Sequence, residues 1–196
     1  MNYEKAREYI LEKLSSDLPP NLYYHSVAHT IDVCEAVERI ATLEGILGED
    51  LLVLKTAALF HDSGFIIQYL KNEEAGAQIA ASTLAQFGYN EEQLAIIKQI
   101  IMATQIPQTS KNLFEEVMCD ADLDYLGRED FHPIANNLKN ELMERGIVNS
   151  GKHWDEIQIG FLTKHKYFTQ SANELRNTKK QQNLAEVQYR YENNLY

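Results

Sequence analysis

His25 and His29 stand four residues apart in Tyr24-His25-Ser-Val-Ala-His29, a spacing that on a helix projects both imidazoles to one side. The stripe continues through Val33, Val37 and Ile40, so it is a face that a fold would bury. Two buried imidazoles need polar partners, because an unsatisfied buried polar group costs on the order of 1–3 kcal/mol. A metal ion is one such partner. Hydrogen-bonded core histidines are the other reading, and the pair alone does not choose. A second pair, His61-Asp62, ends the most apolar run of the chain, Leu51 to Phe60. A carboxylate there is expected to be partly buried, and a buried charge must be paired or bound to a cation. Alone, the dipeptide also fits a helix-terminal histidine favoured by the dipole, followed by an aspartate that turns the chain before Gly64. Farther along, Val117-Met-Cys-Asp-Ala-Asp-Leu-Asp-Tyr-Leu126 sets three alternate acids in an otherwise apolar helical stretch. On a helix Asp120 and Asp124 share one face and Asp122 points elsewhere, so at least one acid is expected to look inward.

Two imidazoles and two carboxylates suit a borderline-to-hard divalent ion, one of Mn, Fe, Co, Ni, Mg or Zn. Such an ion polarises a phosphoryl group and lowers the pKa of a bound water. Four protein ligands on a metal that prefers six positions leave room for both. The charge balance narrows the substrate. With 29 acidic against 18 basic residues and a formal net charge of -11, the surface repels a nucleic-acid backbone, so polymeric nucleic acid is not an expected partner. A small anion is still acceptable, because a bound cation reverses the sign inside a pocket. Cys34 and Cys119 lie far apart in no ligand spacing, as in a reducing compartment. The opening MNYEKAREYILEKL breaks its apolar residues with charges, which is neither a signal peptide nor a membrane span. A soluble cytoplasmic protein is expected, with assembly into a homo-oligomer left open.

Helices must position these groups, since alternating strand patterns bounded by hairpin turns are scarce. Helical periodicity predicts segments 2–15, 25–44, 51–60, 74–87, 91–103, 113–126, 131–145, 153–169 and 172–192. Asp50 is expected to cap the third segment and Gly64 to follow its end. Residues 104–112 read as a loop, and so does His132 before Pro133. At 196 residues the chain fits one domain, an all-α bundle of eight or nine helices around a central metal. Trp154, Gln158, Phe161, His165 and Phe168 form a late stripe flanked by Lys164 and Lys166. It reads as a core stripe with one satisfied histidine, or as a pocket wall in which Lys164 and His165 meet the base and phosphate of a substrate.

The segments around the two histidine pairs resemble the HD-domain metal-dependent phosphohydrolase superfamily. Tyr24-His25-Ser-Val-Ala-His29-Thr-Ile-Asp32-Val33 is similar to its first signature, Leu59-Phe-His61-Asp62-Ser-Gly-Phe65 to the namesake one, and Glu73-Glu-Ala-Gly-Ala77 to the segment that follows. Asp120-Ala-Asp-Leu-Asp-Tyr-Leu-Gly127 is similar to the late aspartate signature, so the resemblance spans residues 20–130, with 131–196 as a helical extension. It implies His29, His61, Asp62 and a late aspartate as metal ligands, with Asp120 preferred and Asp122 the alternate. It also implies His25 beside the substrate as proton donor, with Asp62 or a neighbouring acid orienting the attacking water. Members with a second metal carry histidines where this chain has Glu73 and Thr104. A standard two-metal site is therefore not expected, and Glu73 is left to solvate its helix N-terminus, the preferred reading, to ligate an ion or to face the substrate. The implied activity is hydrolysis of a phosphate ester or diphosphate in a small molecule, most simply a nucleotide. The alternative is a catalytically silent HD module that binds a nucleotide or metal as a sensor.

Overall fold

The computed structural model describes residues 1–195, and among them no strand occurs. Nine α-helices follow one another: α1 (Tyr3–Asp17), α2 (Val27–Leu43), α3 (Gly48–Phe60), α4 (Asn72–Leu84), α5 (Glu91–Ala103), α6 (Leu113–Asp122), α7 (Phe131–Glu144), α8 (Gly151–Lys164) and α9 (Gln170–Glu192). Short 3-10 turns occupy Ser63–Ile66, Ala85–Phe87 and Asp124–Gly127. Most starts are set by side-chain caps that satisfy orphan N–H groups of the first turn. Ser26 accepts from His29, Asn112 from Glu115 and Ser150 from His153, and Asn90 forms a reciprocal box with Gln93.

The expected elements are all present and most ends shift by at most three residues, but the helices expected to reach residues 126 and 169 end at Asp122 and Lys164. Three local expectations need correction. Helix α3 starts before Asp50, which lies inside the first turn, and the capping position is Leu47 with no side-chain cap. His132 belongs to the start of α7 rather than to a loop, because Pro133 is tolerated in a first helical turn. Gly64 does not end α3, which stops at Phe60; it lies in the 3-10 turn beyond. A Cβ on Gly64 would fall 1.8 Å from the carbonyl oxygen of Asn72. Glycine there allows the turn after His61-Asp62 to lie directly against the start of α4.

Helix α3 is apolar around its circumference and therefore central. It packs against α1, α2 and α5, and its last residues, Ala57 to Phe60, are fully buried. Helices α1 to α6 share one large apolar cluster, while α7, α8 and α9 close a second one around Phe131, Trp154, Leu162 and Val187. Tyr24, Leu123, Tyr125 and Leu126 belong to the second cluster, so the segments flanking α2 and following α6 lie where the two meet. Polar ties reinforce the junction. Buried Asp124 accepts from Arg39 of α2 and from Arg176 of α9, and Asn183 of α9 donates to the carbonyls of Leu126 and Arg128.

Candidate metal centre and active site

Three elements bring four side chains together: His29 from the first turn of α2, His61 and Asp62 from the end of α3, and Asp122 from the last residue of α6. His29 Nε2 lies 3.2 Å from Asp122 Oδ1 and 3.5 Å from Asp62 Oδ2. His61 Nε2 lies 3.1 Å from Asp62 Oδ2 and 3.5 Å from Asp122 Oδ1. These atoms face one another without the alignment of hydrogen bonds. Both Nε2 atoms and Asp62 Oδ2 are buried from solvent and lack a hydrogen-bond partner. His61 Nδ1 is 2.7 Å from the carbonyl of Ala58, which fixes the proton on Nδ1 and leaves a lone pair at Nε2. An inward-facing lone pair on a ring held by a backbone carbonyl is what a metal-ligating histidine presents. The ligand atoms of His29, His61 and Asp122 lie within 4.8 Å of one another, so one ion could touch all three.

Electrostatics point the same way. Burial raises the Asp122 carboxyl, yet the imidazoles of His29 and His61 outweigh it and hold the group well below the ordinary carboxylate range. Burial likewise opposes ionisation of Asp62, and His61 overrides it. Burial lowers His61, but the two adjacent carboxylates pull it well above its usual value. A pair of buried carboxylates thus draws positive charge into the cluster, whether as a proton on His61 or as a divalent cation.

The structure separates the two late aspartates that the sequence left open, and it reverses the preference between them. Asp120 points away from the cluster: its carboxylate accepts from Phe168 N, Thr169 N and Thr169 Oγ1, each at 2.8 Å, and so holds the segment leading into α9. Burial pushes its carboxyl up to about 6 against those three hydrogen bonds. Asp122 is the aspartate beside the histidines. Asp124, expected on the face of Asp120, lies beyond the helix end and is bound by arginines.

His25 precedes α2 and stays outside the cluster, its ring centroid 6.2 Å from that of His29. Its Nδ1 is 2.5 Å from Glu141 Oε1, and Glu141 also accepts from the backbone N–H groups of Tyr24 and His25 and from the Tyr69 hydroxyl. Glu141, fully buried on α7, was not singled out in the sequence, where only a helix over 131–145 is expected. No local signal marks it. Asp32, part of the first signature, pairs with Arg128 and takes no part in the cluster.

A cavity of about 210 Å³ opens beside the cluster. His25, Asp62, Asp122, Glu73 and Thr104 line one end, and apolar side chains from the 3-10 turn after α6 and from α7 and α8 line the rest. Burial pushes the half-buried Glu73 carboxyl up. Glu73 and Thr104, the two positions compared above with the histidines of two-metal family members, thus share this cavity. Lys164 and His165 are not brought here. They line a neighbouring cavity of about 410 Å³ with Lys166 and Gln108, separated by a wall of Ile106, Leu123 and Phe161 common to both. Lys180 donates to the carbonyl of His165 and lies 3.3 Å from its Nδ1.

Two solved structures share this arrangement of helices. A predicted HD superfamily hydrolase from an uncultured Thermotogales bacterium superposes with a TM-score of 0.63 at 20% identity, over 95% of this chain and 89% of that one. Bacillus subtilis YpgQ, solved in complex with ADP, gives a TM-score of 0.66 at 16% identity, over 98% of this chain and 97% of that one. The chain has the HD-domain fold. In sequence, an uncharacterized protein of Clostridium beijerinckii is 33% identical over 101 residues, which cover 50% of this chain and 62% of that protein. No protein-family model matches. Within the HD fold, His61-Asp62 occupies the end of the central helix, and the orphaned imidazole nitrogens show that its donor set fits a divalent ion. Among the described residues no helix is long and apolar enough to cross a membrane.

Proposed function

We propose that this protein is a metal-dependent phosphohydrolase that cleaves a phosphate ester or diphosphate bond in a nucleotide. The observation that carries the reading is the pair of unpartnered Nε2 atoms facing Asp62 and Asp122, whose carboxylates line an apolar cavity. His29, His61, Asp62 and Asp122 would hold the ion. Bound there, it would polarise the phosphoryl group and acidify a water molecule. The chain's own residues do the rest. The Asp62 carboxylate, at the edge of the cavity, would both touch the ion and accept a hydrogen bond from the attacking water. His25 donates its Nδ1–H in a hydrogen bond to Glu141 Oε1, so the proton it would pass to the departing oxygen is the one on Nε2. Glu141 is a positioning residue, since it acts through the His25 ring rather than on substrate. Aromatic walls that include Tyr24, Phe65 and Trp154 suit a nucleobase. The complex of the similarly folded YpgQ with ADP supports a nucleotide as ligand.

The test is elemental analysis of the purified protein, followed by a hydrolysis screen of nucleotides with each divalent ion in turn. Bound divalent metal and turnover of at least one nucleotide are expected. Metal without turnover of any phosphate ester would favour the silent-sensor reading. Failure to bind any divalent ion would overturn the assignment of the site.

A further inference from the structure

The late stripe of Trp154, Gln158 and Phe161 supplies much of the cavity's far wall, because residues spaced three and four apart on α8 face it together. Away from the metal cluster that wall is dominated by Leu126, Phe131, Leu138, Leu142 and Ile157, and no lysine or arginine lines it. Whatever enters is therefore the uncharged part of a ligand. Among these apolar groups Gln158, only 6% exposed, carries a primary amide.

The polarity of that amide is fixed from behind. Arg190 of α9 binds the buried carboxylate of Asp155 through Nε at 2.9 Å and Nη2 at 2.5 Å, and the same Nη2 donates to Gln158 Oε1 at 3.2 Å. Turning the amide over would set its NH2 against the guanidinium, donor against donor. Gln158 Oε1 is thus committed to Arg190, which lies in a separate groove with Asp155, and Nε2 has no protein partner. Gln158 lines both that groove and the apolar cavity, so what it offers the cavity is N–H and not C=O.

We infer that the Asp155–Arg190–Gln158 relay makes this cavity a reader of hydrogen-bond acceptors, selecting nucleotides whose base presents a keto group over those presenting an exocyclic amine at the same position. This rests on the nucleotide reading of the same site. An amine facing Gln158 leaves two donors opposed in an apolar wall, whereas a carbonyl satisfies one of them. A site built to pair with one polar group rejects the analogue that lacks it.

The chain contains a single tryptophan, Trp154, and it lines this cavity, so intrinsic fluorescence reports occupancy without any hydrolysis. Titrating the 196-residue chain with inosine against adenosine, and with uridine against cytidine, compares bases that differ in keto versus amino character at one edge. The expected result is tighter binding of the keto member by about tenfold in at least one pair, the scale of one mismatched buried hydrogen bond. Gln158→Leu should bring the two members to equal affinity. Gln158→Glu, which keeps a partner for Arg190 and presents an acceptor, should reverse the preference. Equal affinities or an amino preference in the unaltered protein would overturn the inference, and so would a keto preference that survives in both variants. The unaltered protein alone decides should a variant fail to fold. Absence of any fluorescence response to the four nucleosides would overturn the cavity as a base site, while leaving hydrolysis of other phosphate esters to be judged by the nucleotide screen.

Discussion

Replacing Asp120 and Asp122 separately by asparagine should produce two different defects, although the substitutions lie two residues apart and remove the same charge. Asp120 accepts two backbone N–H groups and one hydroxyl. Asparagine brings one oxygen and one NH2, so at least one buried donor of Phe168 or Thr169 loses its acceptor. Leaving a buried donor unsatisfied costs about 1–3 kcal/mol, and loss of the charge-assisted bonds adds to it, so about 2–4 kcal/mol is expected. For a chain of this size each kcal/mol moves the melting temperature by about 2–4 °C, giving a fall of roughly 5–15 °C. The measurement belongs at pH 8, above the value of about 6 at which Asp120 ionises in the fold. Metal content, read by elemental analysis after dialysis, should stay at the unaltered level in Asp120→Asn and be lost in Asp122→Asn, whose carboxylate lies 3.2 Å from His29 Nε2. Metal loss in Asp120→Asn with retention in Asp122→Asn would refute the assignment. Equal loss in both would show that the two positions act as one unit.

His25→Ala should keep its metal and lower turnover by about 10²–10⁴-fold on a nucleotide, the usual contribution of a positioned proton donor, and by much less on a nitrophenyl ester. Loss of metal in that variant would place His25 among the ligands, and Glu141→Gln should show the same substrate-dependent pattern more weakly. His165 gives a pH signature of its own. Burial and the nearby Lys180 ammonium push its imidazole down to about 4 from an ordinary 6.5. The folded protein therefore takes up this proton less readily than the unfolded chain. The stabilisation is fully present above pH 6.5 and is lost as pH falls towards 4, by up to about 3 kcal/mol. Denaturant midpoints of the unaltered protein and His165→Asn should diverge across that window, and parallel curves would refute the shift.

The candidate ligands from α2 and α3 were legible because each sits where a local pattern meets a chemical anomaly. His29 interrupts an apolar stripe with an imidazole, and His61-Asp62 ends an apolar run with two ionisable groups. The late aspartates were not separable on the same grounds. Val117, Met118, Cys119 and Ala121 are all buried, so α6 has no solvent face near its end against which to orient Asp120 and Asp122. Only the tertiary partners, Thr169 on one side and the two histidines on the other, tell them apart. Glu141 was invisible for the opposite reason: it lies among polar neighbours, and its burial comes from Tyr24, His25 and Tyr69 closing over it. His165 shares the stripe of Gln158 and Lys164 flanks it, yet α8 ends at Lys164 and the chain turns extended at His165, which carries them into the next cavity.

The three alternate acids after Cys119 divide the labour between an instrument and its two clamps. Asp122 faces the histidines, while its neighbour on one side is fastened to Thr169 and its neighbour on the other to Arg176. Both fasteners belong to the last thirty residues of the chain, which supply no ligand. The position of the fourth candidate ligand is therefore fixed in part by the C-terminal segment. A fragment ending near residue 130 would carry every signature of the site, yet Asp120 would lose all three of its donors and Asp124 would keep only Arg39 and Arg128.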